Sequence, residues 1–294
     1  AYEIRLSLVG SEMCIRDRLQ PFQFEFFRNG TLAAVMVGGL CGLIGVYIVL
    51  RGMSYIGHGL SHAIFGGAVV SFVLAWNFYL GAGLWGFGAA VLINQTTRRT
   101  RINADAAIGV ITTASFAIGV ALISRYRKFT RSFDAALFGN ILGVEKADLV
   151  VIGAVTILVG LMIFFLYRSL LFTTFSSDVA QVYGVKTGWI DTLFALMLAA
   201  VLIASMKILG VTLIAAALVI PPITARLLTD SFNRMILLST AIGAGAGFVG
   251  MYASYYLDLA SGATIVLTQA ACFAIVLLIT SLRKRLGRLI HTHV

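Results

Sequence analysis

The spacing of the charges restricts this chain more than any other feature. Runs without a single Asp, Glu, Lys or Arg cover residues 29–50, 52–97, 106–124, 149–167, 192–206, 208–225, 235–257 and 259–282. A helix of about 20 mostly apolar residues crosses a bilayer, so most runs suffice for one crossing and 52–97 for two. In lipid, only helices and closed barrels satisfy every backbone N–H and C=O. Apolar runs of this length, without strict alternation, are helical. The prediction is an all-α polytopic membrane protein with about nine transmembrane helices, over 31–50, 58–77, 79–97, 107–124, 148–167, 189–207, 209–228, 235–256 and 262–282. The 192–206 run is short, and its bounding charges Asp191 and Lys207 are expected at the two interfaces.

Composition agrees. The 294 residues are 60% hydrophobic and 12% charged, with a mean hydropathy of +0.96, whereas a soluble domain carries about 25% charged residues. An ordinary soluble enzyme and a disordered chain are both excluded. The net charge of +10 then reports orientation rather than nucleic-acid binding, because the cytoplasmic loops of membrane proteins collect Lys and Arg. Placing Arg98, Arg99 and Arg101 inside puts twelve basic residues on that side, among them Arg51, Arg168, Arg226 and Arg234. Seven fall outside, including Arg125, Arg127 and Lys128. The N-terminus is therefore expected outside and the C-terminus inside. Residues 19–282 read as one transmembrane domain and 283–294 as a basic cytoplasmic tail. Residues 1–18, AYEIRLSLVGSEMCIRDR, have neither the apolar core nor the cleavage pattern of a signal peptide and read as a non-native segment. Cys14, Cys41 and Cys272 show no disulfide or metal spacing.

Few residues can carry chemistry. His58 and His62 are four apart and so share one helix face. Two imidazoles at that spacing can share a transition-metal ion, or they can bond backbone carbonyls at the interface. His291 and His293 form a second pair at the end of the chain, either metal-binding or simply solvated. The acids all fall at predicted helix ends or loops, which weighs against a proton-coupled carrier but leaves a sodium-coupled one open. No phosphate-cradling GxxxxGK[ST] is present. Two histidines without a third ligand or a general base are too few for an intramembrane metalloenzyme. Two connections are longer than a hairpin. In 168–188, Ser176 or Ser177 suits a helix start and Gly184 its end, which predicts a short amphipathic helix. In 125–147, the stretch SFDAALFGNILG predicts a short helix lying at the membrane. Gly38 with Gly42, and Gly243 with Gly247, have the spacing that lets helix backbones approach closely in lipid. Pro221-Pro222, inside the apolar run of the 209–228 helix, is expected to interrupt its backbone hydrogen bonding, a break tolerated in a membrane where it faces protein or a cavity.

Six ordered stretches carry a family resemblance: YIVLRGMSYIGHGLSHA (47–63), ADAAIGV (104–110), FDAALFGNILGV (133–144), SSDVAQVYGV (176–185), GVTLIAAALVIPPITARLL (210–228) and YYLDLASGATIVL (255–267). Together they resemble the permease subunit of ABC importers for divalent metals, the zinc/manganese/iron or ABC-3 type family. The resemblance implies a fold like the type II importers of vitamin B12 and siderophores. It implies a bacterial inner-membrane transport subunit rather than an enzyme, with no permanent cofactor and a divalent metal ion as cargo. Its partners would be a second permease copy, a pair of cytoplasmic ATPases that alone bind ATP, and an extracellular or periplasmic metal-binding protein. It assigns His58 and His62 to transient coordination along the path. Ser177, Asp178, Val179, Ala180, Val182, Tyr183 and Gly184 become the coupling helix that docks on the ATPase. Phe133, Asp134, Phe138, Gly139 and Asn140 become a short helix at the outer gate, and Pro221 and Pro222 a gating break. Many relatives have Asp at the position of His58, Asp at Asn140 and Ala at Pro222. A stand-alone secondary transporter of metals or small molecules is the alternative.

Overall fold

The computed structural model describes residues 20–100, 102–126, 137–139 and 143–291, with side chains described as far as Arg283. After a short 3₁₀ turn at Gln20–Gln23 come α1 (Glu25–Leu50), α2 (Ser54–Val73), α3 (Phe78–Arg99), α4 (Ala104–Tyr126), α5 (Lys146–Phe165), α6 (Tyr167–Phe175), α7 (Ser177–Val182), α8 (Thr187–Leu209), α9 (Ile214–Leu228), α10 (Phe232–Leu257) and α11 (Ser261–His291). No strand occurs among the described residues. The proposed non-native segment 1–18, with Cys14, lies outside the described residues, as do Phe133, Asp134, Asn140 and His293.

Seven helices are long and apolar enough to cross a membrane: α1, α2, α4, α5, α8, α10 and the Ser261–Arg283 part of α11. Two further predicted crossings fall short on this measure. α3 closes on Asn94-Gln95-Thr96-Thr97-Arg98-Arg99 and is less apolar, and α9 has only 15 residues. The expected start of α9 at 209 moves to Ile214 because Gly210 adopts a left-handed φ of 75° and the chain turns before it resumes a helix. No apolarity scan sees that turn, since the residues on both sides are equally hydrophobic.

The core lies around α1, α2 and α8, whose apolar faces are enclosed, while α4, α5 and α11 are mostly exposed. Phe194, Leu198, Val201 and Leu202 of α8 are buried against Ile44, Tyr47 and Ile48 of α1 and Leu60 and Ile64 of α2. The two glycine pairs singled out above meet each other. A Cβ on Gly38 would overlap the carbonyl oxygen of Gly243, one on Gly42 that of Ser239, and one on Gly247 that of Ala34. Ser239 Oγ donates to Gly42 O at 2.6 Å across the same seam. Lipid supplies no hydrophobic drive between helices, so such close backbone contact is the expected source of α1–α10 adhesion.

Local signals account for the ends. Asn77 Oδ1 accepts from Tyr79 N at 2.9 Å and starts α3. The α1–α2 corner is a closed motif: Gly52 N bonds Val49 O at 3.2 Å and Met53 N bonds Ile48 O at 3.0 Å, with Gly52 at φ 68°. Only two backbone hydrogen bonds of this kind and a left-handed residue are needed to stop a helix sharply.

Candidate metal path and its two ends

α2 begins directly after that corner and carries both histidines. Their Nε2 atoms are 3.3 Å apart, with the rings edge to face at 4.6 Å between centroids. Both side chains are half-buried. His62 packs edge-on against Phe116 of α4 at 4.9 Å, and Tyr55 flanks His58 at 5.8 Å. His62 Nδ1 is buried without a hydrogen-bond partner. Among the described residues neither ring bonds a backbone carbonyl. With bonds of zinc–imidazole length, nitrogens 3.3 Å apart subtend about 107° at a shared ion, near the tetrahedral value. No group of three or more His, Cys, Asp or Glu side chains suited to a metal occurs among the described residues, so any ion held here would have two ligands from this chain.

Ser61, between the histidines, donates to His58 O at 2.7 Å and reaches Val211 O at 3.2 Å. Val211 belongs to the non-helical link between α8 and α9 and is fully buried. Irregular backbone at membrane depth is tolerated where protein covers it, and here the cover is visible. Thr212 Oγ1 donates to Leu137 O at 2.8 Å, and a Cβ at Gly139 or Gly210 would strike the other segment's backbone. Phe138 and Gly139, the two described members of the expected outer helix, thus sit on the α8–α9 turn, and Gly139 itself is left-handed at φ 79°.

α9 runs through Pro221 and Pro222. Proline removes an amide and not the helical path, so the loss falls on the carbonyls of Ala217 and Leu218. The Leu218 oxygen points at Gly45 of α1, where a Cβ would overlap it. A Cα–H contact of this type is a modest substitute.

At one end of α8, Asp148 of α5 is buried and receives Lys207 Nζ at 2.6 Å, Tyr79 OH at 2.6 Å and Glu145 N at 3.1 Å. Lys207 also lies over the Tyr79 ring at 5.1 Å. At the other end, Arg51 Nη1 pairs with Asp191 Oδ1 at 3.0 Å, while its Nε and Nη2 donate to Thr174 and Thr173 of α6 at 3.2 and 2.9 Å. Burial lowers the Arg51 pKa from the ordinary arginine value and Asp191 pushes it back up, so the guanidinium keeps its charge. Sequence reasoning placed Asp191 and Lys207 at interfaces and missed both partners. The only signal was that these two charges bound one apolar run.

α7 is capped as expected at Ser176, whose Oγ accepts from Val179 N at 3.3 Å. Gly184, at φ 77°, closes it with bonds from Gly184 N to Gln181 O and from Val185 N to Ala180 O. Ala180 is buried, whereas Ser177, Asp178, Val179, Val182 and Tyr183 are exposed. Tyr183 stacks on Phe172 of α6 at 5.5 Å.

The structure is a bundle of apolar helices with two histidines side by side on one of them, and comparison with known proteins supplies its class. The model of the ABC 3 transport family matches residues 23–280. The chain is 37% identical to the manganese import system permease protein ScaB of Streptococcus gordonii, over 90% of this chain and 95% of that protein. It is 32% identical to a probable iron transport system membrane protein of Haemophilus influenzae, over 91% of this chain and 98% of that protein. Among solved structures, PsaBC from Streptococcus pneumoniae in complex with Fab superposes with a TM-score of 0.80 at 35% identity, covering 89% of this chain and 95% of that one. This chain belongs to the ABC 3 transport family. It is a multi-pass metal ABC permease, a transport subunit and not an enzyme, and membership implies separate ATPase and substrate-binding partners.

Proposed function

We propose that the chain forms the translocation path of an ATP-driven importer of a divalent metal ion, working as a pair of identical permease subunits on a pair of ATPases. The observation that carries this reading is the His58–His62 pair, two nitrogens 3.3 Å apart on one helix face beside the buried α8–α9 turn. Relatives named for manganese and iron put Mn²⁺ and Fe²⁺ first. Two imidazoles without the carboxylate common in relatives also admit Zn²⁺, because imidazole suits several first-row ions.

A cargo must leave as well as bind, so weak stations serve conduction better than tight ones. Two ligands from each subunit meet that need. The pairing of subunits draws support from α4. Its exposed positions include Ala106, Thr113, Ala114, Ala117 and Ala121, small residues that admit a close second helix, beside the apolar Val110, Ile118 and Val120, and the same helix carries Phe116 against His62. In this reading the chain crosses nine times in a type II importer fold, with its N-terminus outside and its C-terminus inside. The binding protein releases metal at the outer end, where Leu137–Gly139 covers the α8–α9 turn. α7 docks on the ATPase through Asp178, Val179, Val182 and Tyr183, and ATP stays on that partner. α9, with two carbonyls freed by Pro221 and Pro222, is the helix best prepared to flex.

The test is the double variant His58→Ala/His62→Ala in the reconstituted complex. Mn²⁺ uptake should vanish while permease, ATPase and binding protein still co-purify. Undiminished uptake would remove the histidines from the path.

A further inference from the structure

Arg51 stands at the C-terminal end of α1 in a corner that cannot easily bend. The corner is closed by the backbone bonds of Gly52 and Met53, and α2 starts with Ser54 immediately beyond it. His58 follows about 6 Å along the α2 axis at 1.5 Å per residue. The guanidinium is enclosed, with 8% of its side chain exposed. Every nitrogen of its fork has a partner on another helix: Nη1 on Asp191 of α8, Nη2 on Thr173 and Nε on Thr174 of α6. The plane also lies over the Phe194 ring of α8, 4.4 Å from its centre.

The far end of that contact matters. Thr174 is two residues before Ser176, the cap of α7. The backbone of α6 packs on α5, α7 and α8 and only sparsely on α1, and α2 is not among its substantial neighbours. A cleft of about 480 Å³ lies between α6 and α3, lined by Arg51, Asn94, Thr97, Thr173 and Ser176 among others, while α6 holds α10 through Tyr167 OH on Asn233 and through the Tyr167 and Phe175 rings on Phe232. α6 therefore has open space on its α3 side, and among the described residues the polar tie between it and the histidine-bearing corner is one side chain, Arg51.

We propose that Arg51 is a positioning residue that carries displacement of α7 to α2, so that ATPase closure resets the His58–His62 station. A flexible ammonium cannot replace it, because only a planar fork donates in three fixed directions at once. The inference rests on the coupling role given above to α7.

The experiment measures metal ions transported per ATP hydrolysed in proteoliposomes holding the complete complex with Mn²⁺. Arg51→Ala and Arg51→Lys should both lower that ratio about tenfold while ATP hydrolysis continues. Thr173→Val/Thr174→Val, which keeps the charge and its Asp191 partner, should lower it severalfold. A purely structural Arg51 would reduce the yield of folded complex and leave the ratio of the surviving complex unchanged, and that result overturns the proposal. Should Arg51→Ala fail to assemble, Arg51→Lys and the threonine pair decide by the same ratio. Asp178→Lys separates the two readings. If it uncouples and the Arg51 and threonine variants do not, the relay fails alone; if Asp178→Lys changes nothing, the docking of α7 fails.

Discussion

Lys207→Met should be among the most damaging single changes that leave the metal station untouched. The partner, Asp148, has 3% of its side chain exposed, against 36% for Lys207. Removing the lysine therefore strands a carboxylate that cannot reach water, whereas removing the carboxylate frees an ammonium that can. Breaking a buried pair from one side costs about 3–5 kcal/mol. Asp148 keeps its bonds from Tyr79 OH and Glu145 N, so the lower figure of about 3 kcal/mol applies, roughly a hundredfold in the unfolding equilibrium. Asp148→Asn should cost less, towards the lower end of the roughly 1.5–3 kcal/mol of a hydrogen bond to a charged group, because the freed ammonium reaches water. The double variant should fall below the sum of the singles, because it leaves no stranded charge. Equilibrium unfolding of the full chain in mixed detergent micelles measures all three. Equal and small losses for the two single variants, under about 0.5 kcal/mol, would place the pair in the exposed class and refute the reasoning.

Two further changes test the proposed docking helix and the proposed orientation. Asp178→Lys reverses the one acid on α7 and should leave metal uptake far below the level that the measured ATP hydrolysis would sustain; normal uptake per ATP would show that α7 is not the docking element. Thr100→Cys, in a background with Cys14, Cys41 and Cys272 replaced by Ala, should react with a membrane-impermeant maleimide only in inside-out vesicles, and reaction in intact cells would invert the orientation.

Much of the helical plan was legible from charge spacing alone, because each apolar run must become a helix when lipid is the solvent. The histidine pair was legible for a similar reason, since a spacing of four residues puts side chains on one face whatever else surrounds the helix. The ends of α7 were legible because Ser176 and Gly184 act within a few residues of themselves. What stayed hidden depends on distant neighbours. Gly210 turns the chain where a segment some seventy residues earlier, Leu137–Gly139, presses on it, and nothing near residue 210 announces that. Arg51 meets Asp191, and Asp148 meets Lys207, only after helices far apart in the chain have packed. The glycine pairs Gly38/Gly42 and Gly243/Gly247 announced close approach but not that each is the other's partner. Pro221 and Pro222 announced lost backbone hydrogen bonds inside a helix, but not that the freed Leu218 carbonyl would face Gly45 of α1.

The account stands on the chain being a conduit without an engine. The direct measurement is Mn²⁺ entry into sealed vesicles containing a trapped metal-sensitive dye, first with the permease alone and then with ATPase, binding protein and ATP added. The dye should stay silent in the first case, even under an imposed proton or sodium gradient, and respond in the second. A gradient-driven response from the permease alone would contradict the account.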